Sequence, residues 1–333
     1  MWSQKILWFI KLCRLRFLIY SPIMYSIGVS IARNEEKSID FYLFGIGLIF
    51  VWNTHVMTHF FNEFYDYQAD CNNKNPSPWT GGSRVLVQKK LSLEVSKLWG
   101  YFSCFLSFLI LLKIAPNISN FCIGILIIFF GIYYSAPPLK LEYRGLGELV
   151  VALVLNILVP LWAYSLYSDN FFNKYVFLLI PISVIEYARM MVMNMPDRES
   201  DEVSGKKTLI VRIGLRKAVN VYIILNSLSY VSFLFFFGFI QNNILLTIYL
   251  TFPLYAWIAY RFLRGDWKSK FSMYNIPFLA STHNGFVAAA YLFGLNYCYV
   301  SFKIFDFLMY PIFLFLFSFV LFNTKLFFNR EVA

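Results

Sequence analysis

Residues 41–61, FYLFGIGLIFVWNTHVMTHFF, form a strongly apolar run, and residues 62–70, NEFYDYQAD, follow it directly. The apolar run has the length of a helix that spans about 30 Å of hydrocarbon. The polar stretch carries Asn62, Asp66 and Asp70 at steps of four residues. Residues at this spacing share one face of a helix. The three side chains are therefore predicted to project together from the end of a membrane-spanning helix.

The rest of the chain has the composition of a helical membrane protein. It has 333 residues, of which 59% are hydrophobic and 14% are charged, whereas a soluble domain carries about 25% charged residues. We therefore predict an all-α, polytopic membrane protein in which residues 1–333 form a single transmembrane domain. Ten apolar runs are long enough to cross the bilayer as helices: 15–33, 41–61, 95–114, 118–136, 147–168, 173–195, 218–239, 243–263, 275–298 and 303–326.

The two ends of the chain flank a predicted core at residues 15–298. In residues 1–14, basic and apolar residues interleave and no small-residue cleavage site follows. This segment is therefore expected to be an interfacial helix rather than a cleaved signal. At the other end, only the short sequence CYVSFK separates the ninth apolar run from the tenth. We expect residues 303–326 to form an additional, tenth helix.

The distribution of positive charge predicts the orientation of the spans. With the N-terminus placed in the cytoplasm, the N-terminal segment and the loops after even-numbered spans hold 23 Lys and Arg residues, and the opposite loops hold five. Cytoplasmic segments carry such an excess of Lys and Arg, so both termini and the loops after the second and sixth spans are expected in the cytoplasm. The net charge of +11 follows from this topology and requires no nucleic acid partner.

A second acidic motif ends the sixth span, in the stretch NMPDRESDEVSGKK at residues 194–207. Its spacing, Asn194-x2-Asp197-x3-Asp201, echoes the first motif, and the corresponding aspartates of the two motifs are 131 residues apart. The motifs are separated by four helices, which indicates a duplicated four-helix unit and places both on one side of the membrane. Pro196 lacks a backbone donor and should kink or end the sixth helix at the motif.

The acidic residues of both motifs suit a divalent cation. Four carboxylates that converge at the membrane surface repel one another unless positive charge lies between them. Hard oxygen ligands of this kind suit Mg²⁺ that is shared with a substrate phosphate. The alternative is a set of solvated charges at two helix ends. The candidate catalytic residues, also metal ligands, are Asp66, Asp70, Asp197 and Asp201, and the further candidate metal ligands are Asn62 and Asn194.

Basic residues beside these motifs are candidates for binding the remaining oxygens of a diphosphate. Arg84 follows the sequence TGGS, Lys206 follows the second motif, and Lys140 follows the fourth span. Lysine and arginine in these loops are also explained by positive-inside topology. Arg189 lies inside the sixth span, where a charge indicates a functional site, and it is a fourth candidate. An ion pair with Glu186 is the alternative for Arg189.

Two histidines, His55 and His59, lie on the helix face that leads to Asn62. Their sequence, HVMTH, lacks the glutamate of the HExxH zinc-protease motif, so a zinc protease is poorly supported. The two side chains could line a substrate pocket below the cation, or they could make satisfied polar contacts inside the helical bundle.

These motifs resemble those of the UbiA-type intramembrane prenyltransferases. Both acidic motifs and the stretch DRESDEVSGKKTLIVRIG at residues 197–214 are similar to the family pattern. The resemblance implies nine core helices around a cavity, with Mg²⁺ and a polyprenyl diphosphate held under a cytoplasmic cap. Tyr134 to Lys140 loosely matches the family's tyrosine–lysine motif, which places Tyr134 in the substrate pocket. Glu63 stands where the family usually has aspartate.

Within the family, TGGSRVL at residues 80–86 and YRGLGELVV at residues 143–151 look most like the naphthoate-prenylating branch that makes menaquinone precursors. This likeness implies transfer of a polyprenyl group to an aromatic acceptor, with the prenyl tail open to membrane lipid. It also implies a bacterial cytoplasmic membrane with the active site on the cytoplasmic side. The alternatives are another aromatic or lipid-headgroup acceptor, a terpene cyclase, and a cation-coupled transporter, although transporter acids typically lie near the bilayer midplane.

Overall fold

The structure is a computed structural model that describes residues 2–74, 76, 81–170 and 173–297. Over these residues the fold is helical and contains no strand. The helices are α1 (Trp2–Leu12), α2 (Tyr20–Asn34), α3 (Phe41–Tyr65), α4 (Tyr67–Asn72), α5 (Leu93–Ile114), α6 (Ile118–Tyr133), α7 (Gly147–Leu153), α8 (Val159–Ser165), α9 (Leu179–Met193), α10 (Arg198–Val203), α11 (Leu209–Ile213), α12 (Leu215–Leu234), α13 (Asn242–Tyr249), α14 (Phe252–Arg264) and α15 (Lys270–Tyr297).

Several of these helices join into segments of membrane-spanning length. A π-helical turn at Val154–Leu158 joins α7 to α8, and a 3-10 turn at Val176–Leu178 leads into α9. The segment that contains α1 meets α2 at a bend of 50°, and the two together would make one further span. In the described part of the chain, six segments are long and apolar enough to cross a membrane: Phe41–Tyr65, Leu93–Ile114, Gly147–Ser165, Val176–Met193, Leu215–Leu234 and Asn242–Arg264.

The predicted all-helical membrane fold is confirmed. Each of the nine predicted core spans overlaps a helical segment, and α1 occupies the predicted N-terminal helix. The first span begins later than predicted, at Tyr20, because a 3-10 turn at Leu15–Phe17 precedes it. The predicted tenth helix, at residues 303–326, lies outside the described residues.

Small and polar side chains allow neighbouring helices to approach closely, as is common in membrane bundles. Between α3 and α5, Asn53 Nδ2 donates to Ser103 O and Ser107 Oγ, both at 2.7 Å. Ser96 Oγ donates to the Phe60 carbonyl at 2.8 Å. These bonds fix the rotation of α3, the helix that carries the first acidic motif. Large apolar side chains such as Leu98 and Phe105 remain on the outer face of α5, where they can contact lipid.

Both acidic motifs begin where a long helix ends. α3 ends at Tyr65 and α4 starts at Tyr67, so Asp66 lies at the junction. α9 ends at Met193 and α10 starts at Arg198, which confirms the predicted helix end next to Pro196. The short helices α4 and α10 pack against each other. The two motifs therefore meet at one end of the bundle.

Candidate active site

A cavity of about 370 Å³ lies between α2, α3, α6, α7, α9 and α15 and reaches the two acidic motifs. Away from the motifs its wall is largely apolar, and it includes the π-helical turn through Val154 and Leu155. A π-helical turn inside an α-helix often marks a functional site. Eleven of the predicted site residues line this cavity: Asn62, Asp66, Asp70, Asn194, Asp197, Asp201, Lys206, Arg189, His55, His59 and Tyr134.

The first motif is organised around the ammonium group of Lys206. Lys206 Nζ lies 2.7 Å from Asp66 Oδ2 and 2.8 Å from Glu142 Oε2. Asn62 Nδ2 donates to Asp66 Oδ2 at 2.7 Å and to Glu142 Oε1 at 3.2 Å. Asp66 and Glu142 are 4% and 3% exposed. Two buried carboxylates from different segments are thus held together by one cation and one amide.

Asp70 lies under the loop at residues 81–84. In this loop Gly82 has φ +70°, and a Cβ atom at Gly82 would overlap Oδ2 of Asp70. Ser83 donates to Glu63 through its backbone N at 2.6 Å and its Oγ at 2.7 Å, and Arg14 pairs with the same carboxylate at 2.5 Å. Glu63 is therefore buried as the anchor that holds this loop over Asp70, which gives a structural role to the residue that departs from the family pattern.

The second motif is held from neighbouring segments. Asp197 Oδ1 accepts a hydrogen bond from Asn73 Nδ2 at 2.7 Å, which links the second motif to the end of α4. Thr208 Oγ1 donates to Asp201 Oδ2 at 3.4 Å. Asn194 Nδ2 donates to Glu148 Oε1 at 2.9 Å. Each acidic motif therefore depends on residues from outside its own helix.

Burial and the charges around the cavity shift the ionisation of several groups of the site, and burial, reinforced by Asp66, raises the pKa of Glu142 to about 8. Burial, reinforced by Glu63 and Asp66, raises the pKa of Asp70 to about 7 against the effect of Arg14. Burial, reinforced by Asp197 and Asp66, likewise raises the pKa of Asp201 to about 7. Burial alone would lower the pKa of Lys206, but the surrounding carboxylates outweigh it and hold that pKa well above its ordinary value. The carboxylates exceed the positive charge that Lys206 supplies.

This donor set fits a hard divalent cation that shares its coordination with a ligand. Among the described residues, no three His, Cys, Asp or Glu side chains are close enough to hold a metal ion by themselves. Oδ1 of Asp66 is buried without a hydrogen-bond partner, and oxygen donors from both motifs line one cavity. Mg²⁺ commonly binds through one or two carboxylates and completes its coordination with water and phosphate oxygens. The residues present suit that mode of binding.

The basic residues are arranged differently from the sequence-based prediction. In the described part of the chain, the cavity lining includes Lys206 and Arg189 but neither Arg84 nor Lys140. The Arg84 guanidinium donates to the backbone carbonyl of Asp70. The ammonium group of Lys140 lies 5.1 Å from the centre of the Tyr143 ring. Two arginines from the N-terminal segment line the cavity in their place: Arg14 and Arg16.

Arg189 lies in the cavity away from the acidic motifs. It forms an ion pair with Glu186, as its alternative interpretation proposed. Its guanidinium pairs with Glu186, with Nε 2.8 Å from Oε2. Asn284 Nδ2 also donates to Glu186, at 2.6 Å, and Arg189 Nη1 lies 3.4 Å from Ser281 Oγ. Because Arg189, Ser281 and Asn284 line the cavity, this cluster forms a second polar patch, on α9 and α15, away from the acidic motifs.

His55 and His59 lie below the first motif on the cavity wall. Their ring centres are 4.8 Å apart, and His55 Nδ1 lies 3.0 Å from Ser21 Oγ. Ser21 Oγ also lies 3.2 Å from the Leu18 carbonyl oxygen. The structure thus combines both interpretations of the histidines, because they line the cavity and His55 also has a polar partner in the bundle.

A loop between α6 and α7 closes the site from the side. Lys207 N donates to the Tyr143 carbonyl at 3.0 Å, so this loop is tied to the segment that carries Lys206. Gly145 has φ +70°, and a Cβ atom there would lie 2.6 Å from the Lys207 carbonyl oxygen. Only glycine fits such a close approach in this conformation.

Several residues of the site were not found from the sequence. Glu142 immediately precedes the stretch YRGLGE at residues 143–148, and Glu148 ends it; in the sequence this stretch indicates only a family likeness, and that likeness assigns no role to either acid. Arg14 was counted only as part of a basic N-terminal segment. These side chains reach the motifs from distant parts of the chain, and a single sequence contains no spacing signal for such contacts.

Comparison with known proteins agrees with this geometry. The model of the UbiA prenyltransferase family matches residues 22–279. The chain is 25% identical over 228 residues to a 1,4-dihydroxy-2-naphthoate octaprenyltransferase of Bacillus subtilis, which covers 65% of this chain and 68% of that protein. It is 28% identical over 266 residues to a digeranylgeranylglyceryl phosphate synthase of Sulfurisphaera tokodaii, which covers 78% of this chain and 89% of that protein.

Solved structures share the fold. A digeranylgeranylglyceryl phosphate synthase structure superposes with a TM-score of 0.63 at 20% identity and covers 87% of this chain and 98% of that chain. A UbiA homologue from Archaeoglobus fulgidus, bound to DMAPP and Mg²⁺, superposes with a TM-score of 0.62 at 15% identity and covers 84% of this chain and 98% of that chain.

Proposed function

This chain belongs to the UbiA prenyltransferase family, and from that premise we propose that it transfers a polyprenyl group from polyprenyl diphosphate to an aromatic acceptor within the membrane. The proposed acceptor is a naphthoate of the kind used for menaquinone-type quinones. The proposed cofactor is Mg²⁺, and the proposed location of the site is the cytoplasmic side of a bacterial cytoplasmic membrane.

The observation that carries this proposal is the division of one cavity into two parts. Both acidic motifs and Lys206 lie at one end, and apolar side chains such as Ile127, Val150 and Leu155 line much of the remainder, beside the smaller polar patch at Arg189. A prenyl diphosphate has the same division, with a charged head and an apolar tail. An inorganic cation that is transported would not require an apolar region for binding.

At the charged end, the chain's own residues would bind and orient the diphosphate. The motif carboxylates and asparagines would hold Mg²⁺, which when bound would neutralise the diphosphate oxygens and stabilise their charge as they leave. Lys206, which now pairs with Asp66 and Glu142, can donate to a phosphate oxygen from the same position. Arg14 and Arg16 line the cavity and add positive charge. Arg84 and Lys140 remain predicted diphosphate contacts. Their side chains would have to move to reach the cavity.

The reaction would proceed by cleavage of the allylic C–O bond, with the electron pair leaving on the diphosphate. Aromatic rings that line the cavity, among them Phe130, Tyr134 and Phe278, can stabilise the allylic cation through cation–π attraction. A π bond of the electron-rich acceptor then attacks the cation and forms the new C–C bond. The acceptor ring regains aromaticity by losing a proton or, for a naphthoate attacked at its carboxyl-bearing carbon, CO₂.

Support for a naphthoate comes from the stretches TGGSRVL and YRGLGELVV and from the similarity to naphthoate octaprenyltransferases of Bacillus subtilis and of Haemophilus influenzae, the latter 27% identical over 190 residues. A lipid-headgroup acceptor is the second candidate. It is favoured by the similarity to the digeranylgeranylglyceryl phosphate synthase, which extends over more of both chains.

Product analysis tests the proposal. The full chain in lipid nanodiscs is incubated with Mg²⁺, a labelled polyprenyl diphosphate and, separately, 1,4-dihydroxy-2-naphthoate, 4-hydroxybenzoate or a glyceryl phosphate lipid. A prenylated naphthoate that has lost CO₂, seen by mass spectrometry only with Mg²⁺, is the expected result. Prenylation of the benzoate or the lipid alone would overturn the naphthoate assignment. A cyclised hydrocarbon would indicate a cyclase, and no prenyl product from any mixture would overturn the proposal.

A further inference from the structure

The two motif asparagines are held in the same way by one short segment of the chain. Asn62 Nδ2 donates to Glu142 Oε1 at 3.2 Å, and Asn194 Nδ2 donates to Glu148 Oε1 at 2.9 Å. Glu142 lies in a 3-10 turn at Leu141–Arg144, and Glu148 lies in the first turn of α7. The glutamates are 3% and 1% exposed. Each motif therefore has one buried glutamate bonded to its asparagine.

The partners of Glu148 fix the direction of the Asn194 amide. Oε1 of Glu148 also accepts from the backbone N–H of Leu209, which can only donate, so this oxygen is an acceptor and the NH₂ end of Asn194 must face it. The carbonyl end, Oδ1, is then turned away from the glutamate. Because Asn194 lines the cavity, this orientation offers its amide carbonyl oxygen to a cation. Amide carbonyls are oxygen ligands of the type that hard cations bind.

Glu148 isolates this effect better than Glu142, which also contacts Lys206. Oε1 of Glu148 accepts from Asn194 Nδ2 and from the backbone N of Leu209, the latter at 3.1 Å. Its Oε2 is buried without a partner. Glu148 is not among the described residues that line the cavity. It is linked to the site through Asn194, and it also bonds to Leu209 at the start of α11.

We propose that Glu148 is a positioning residue that aims the carbonyl oxygen of Asn194 at the metal. The inference rests on the proposed function, because it requires that the motifs hold a divalent cation. Neighbouring groups that orient a metal ligand typically change metal affinity by about 10- to 100-fold when they are lost.

The test uses two variants of equal size. Glu148→Met fills the same volume without an oxygen, whereas Glu148→Gln keeps a carbonyl oxygen that can accept from Asn194 and Leu209. Binding of Mn²⁺ to the purified full chain, in the presence of inorganic pyrophosphate, is measured by electron paramagnetic resonance. We expect Glu148→Met to weaken Mn²⁺ binding by about tenfold or more and Glu148→Gln to weaken it by less than about threefold. Glu202→Ala, on the exposed side of α10, is the matched control.

A double variant separates positioning from general destabilisation. In an Asn194→Ala background, Glu148→Met should weaken Mn²⁺ binding by no more than about twofold further, because residues that act through one another are not additive. The proposal is overturned if the two effects multiply, if Glu148→Met binds Mn²⁺ as the wild type does, or if Glu148→Gln loses binding by tenfold. If Glu148→Met does not fold, Glu148→Leu replaces it, with the same expected loss of Mn²⁺ binding and the same double variant. A wild-type chain that binds no Mn²⁺ would overturn both this inference and the metal in the proposed function.

Discussion

Asp66 and Asp197 occupy equivalent positions in the two motifs but have different partners. Asp66 pairs with Lys206 across 2.7 Å and keeps one buried oxygen without a partner. Asp197 bonds to Asn73 at the end of α4. In both cases the side chain is fixed by a neighbour from another part of the chain. Each aspartate is therefore already oriented before a ligand arrives.

Replacing either aspartate with alanine should abolish prenyl transfer and leave the protein folded in the membrane. A loss of more than about a hundredfold in turnover is expected, because charge that stabilises the departing diphosphate is removed. Incorporation of labelled prenyl groups measures the effect, and thermal unfolding of the purified variants shows whether they are folded. Glu202→Ala, whose side chain is exposed, should retain activity. Full activity of Asp66→Ala or Asp197→Ala would contradict the proposed function.

The raised pKa values of Asp70 and Asp201 predict a dependence of metal affinity on pH. Both carboxyl groups have a pKa of about 7, above the ordinary 3.8, chiefly because they are buried. For an acid, a raised pKa means that the folded, metal-free chain loses stability as pH rises from about 4 through 7. A cation binds the ionised form, so its binding releases these protons.

Mn²⁺ affinity should therefore rise between pH 6 and pH 7.5 and level off above that range. At pH 6 we expect binding to be weaker by about tenfold for each of the two protons that must leave. Titrations followed by electron paramagnetic resonance at several pH values provide the measurement. The Asp70→Asn, Asp201→Asn double variant should show a flatter profile. An affinity independent of pH in the wild type would show that the two carboxyl groups do not exchange protons for the cation.

The relation between sequence and site is clearest for individual residues. The four-residue spacing predicts that Asn62, Asp66 and Asp70 face one way, because this geometry is a property of the helix backbone, and all three line the cavity. The contacts of Glu142 and Glu148 could not be predicted in this way. They depend on the approach of two helices, and tertiary approach leaves no periodic pattern in a single sequence.

Among the elements, the loop at residues 81–84 depends most strongly on glycine. Gly82 has φ +70°, and any Cβ atom there would overlap Oδ2 of Asp70. Gly205, beside the second motif, has φ +73° but has open space around it. A side chain at either position would strain the backbone. Only a side chain at Gly82 would also clash with Asp70.

Gly82→Ala should weaken Mn²⁺ binding by about tenfold or more, because Asp70 must move, whereas Gly205→Ala should leave affinity nearly unchanged. Each substitution also places alanine at positive φ, so both should cost about 1–2 kcal/mol of stability. Metal titration and thermal unfolding of both variants measure the two effects. Equal metal affinities for the two variants would show that the loop does not control the position of Asp70.

Helix ends were predictable from the sequence where a residue imposes them. Pro196 follows the end of α9 closely, as the missing backbone donor requires. The π-helical turn at Val154–Leu158 was not predicted. Its sequence, VLNIL, is apolar except for Asn156, and both α7 and the turn itself pack against α9. Contacts between helices determine such a turn, so the sequence of one helix does not predict it.

For the whole molecule, the predicted duplication places two motifs on one side of the membrane, and the fold brings them to one cavity. The 131-residue repeat could indicate that the motifs share a side. It could not indicate that Asn73 reaches Asp197 or that Lys206 reaches Asp66. Through these contacts, the two acidic helix ends form one charged site at the end of the cavity.

The charge distribution also predicts on which side of the membrane the acidic end of the cavity lies. The loops on the side of the acidic motifs belong to the segments that hold 23 Lys and Arg residues, against five on the opposite side. Such an excess marks the cytoplasmic side. Cys71, which follows the first motif, is exposed, and Lys37 is exposed between α2 and α3 at the other end of the bundle. A maleimide that cannot cross membranes can therefore report on both sides.

In variants that keep Cys71 or Lys37→Cys as the single cysteine, intact bacterial cells should label Lys37→Cys and leave Cys71 unlabelled. Permeabilised cells should label both, which controls for reactivity. This result would place the acidic motifs where a water-soluble diphosphate head group can be supplied from the cytoplasm. Labelling of Cys71 in intact cells, with Lys37→Cys protected, would reverse the orientation and would require the prenyl diphosphate to enter from the outer side.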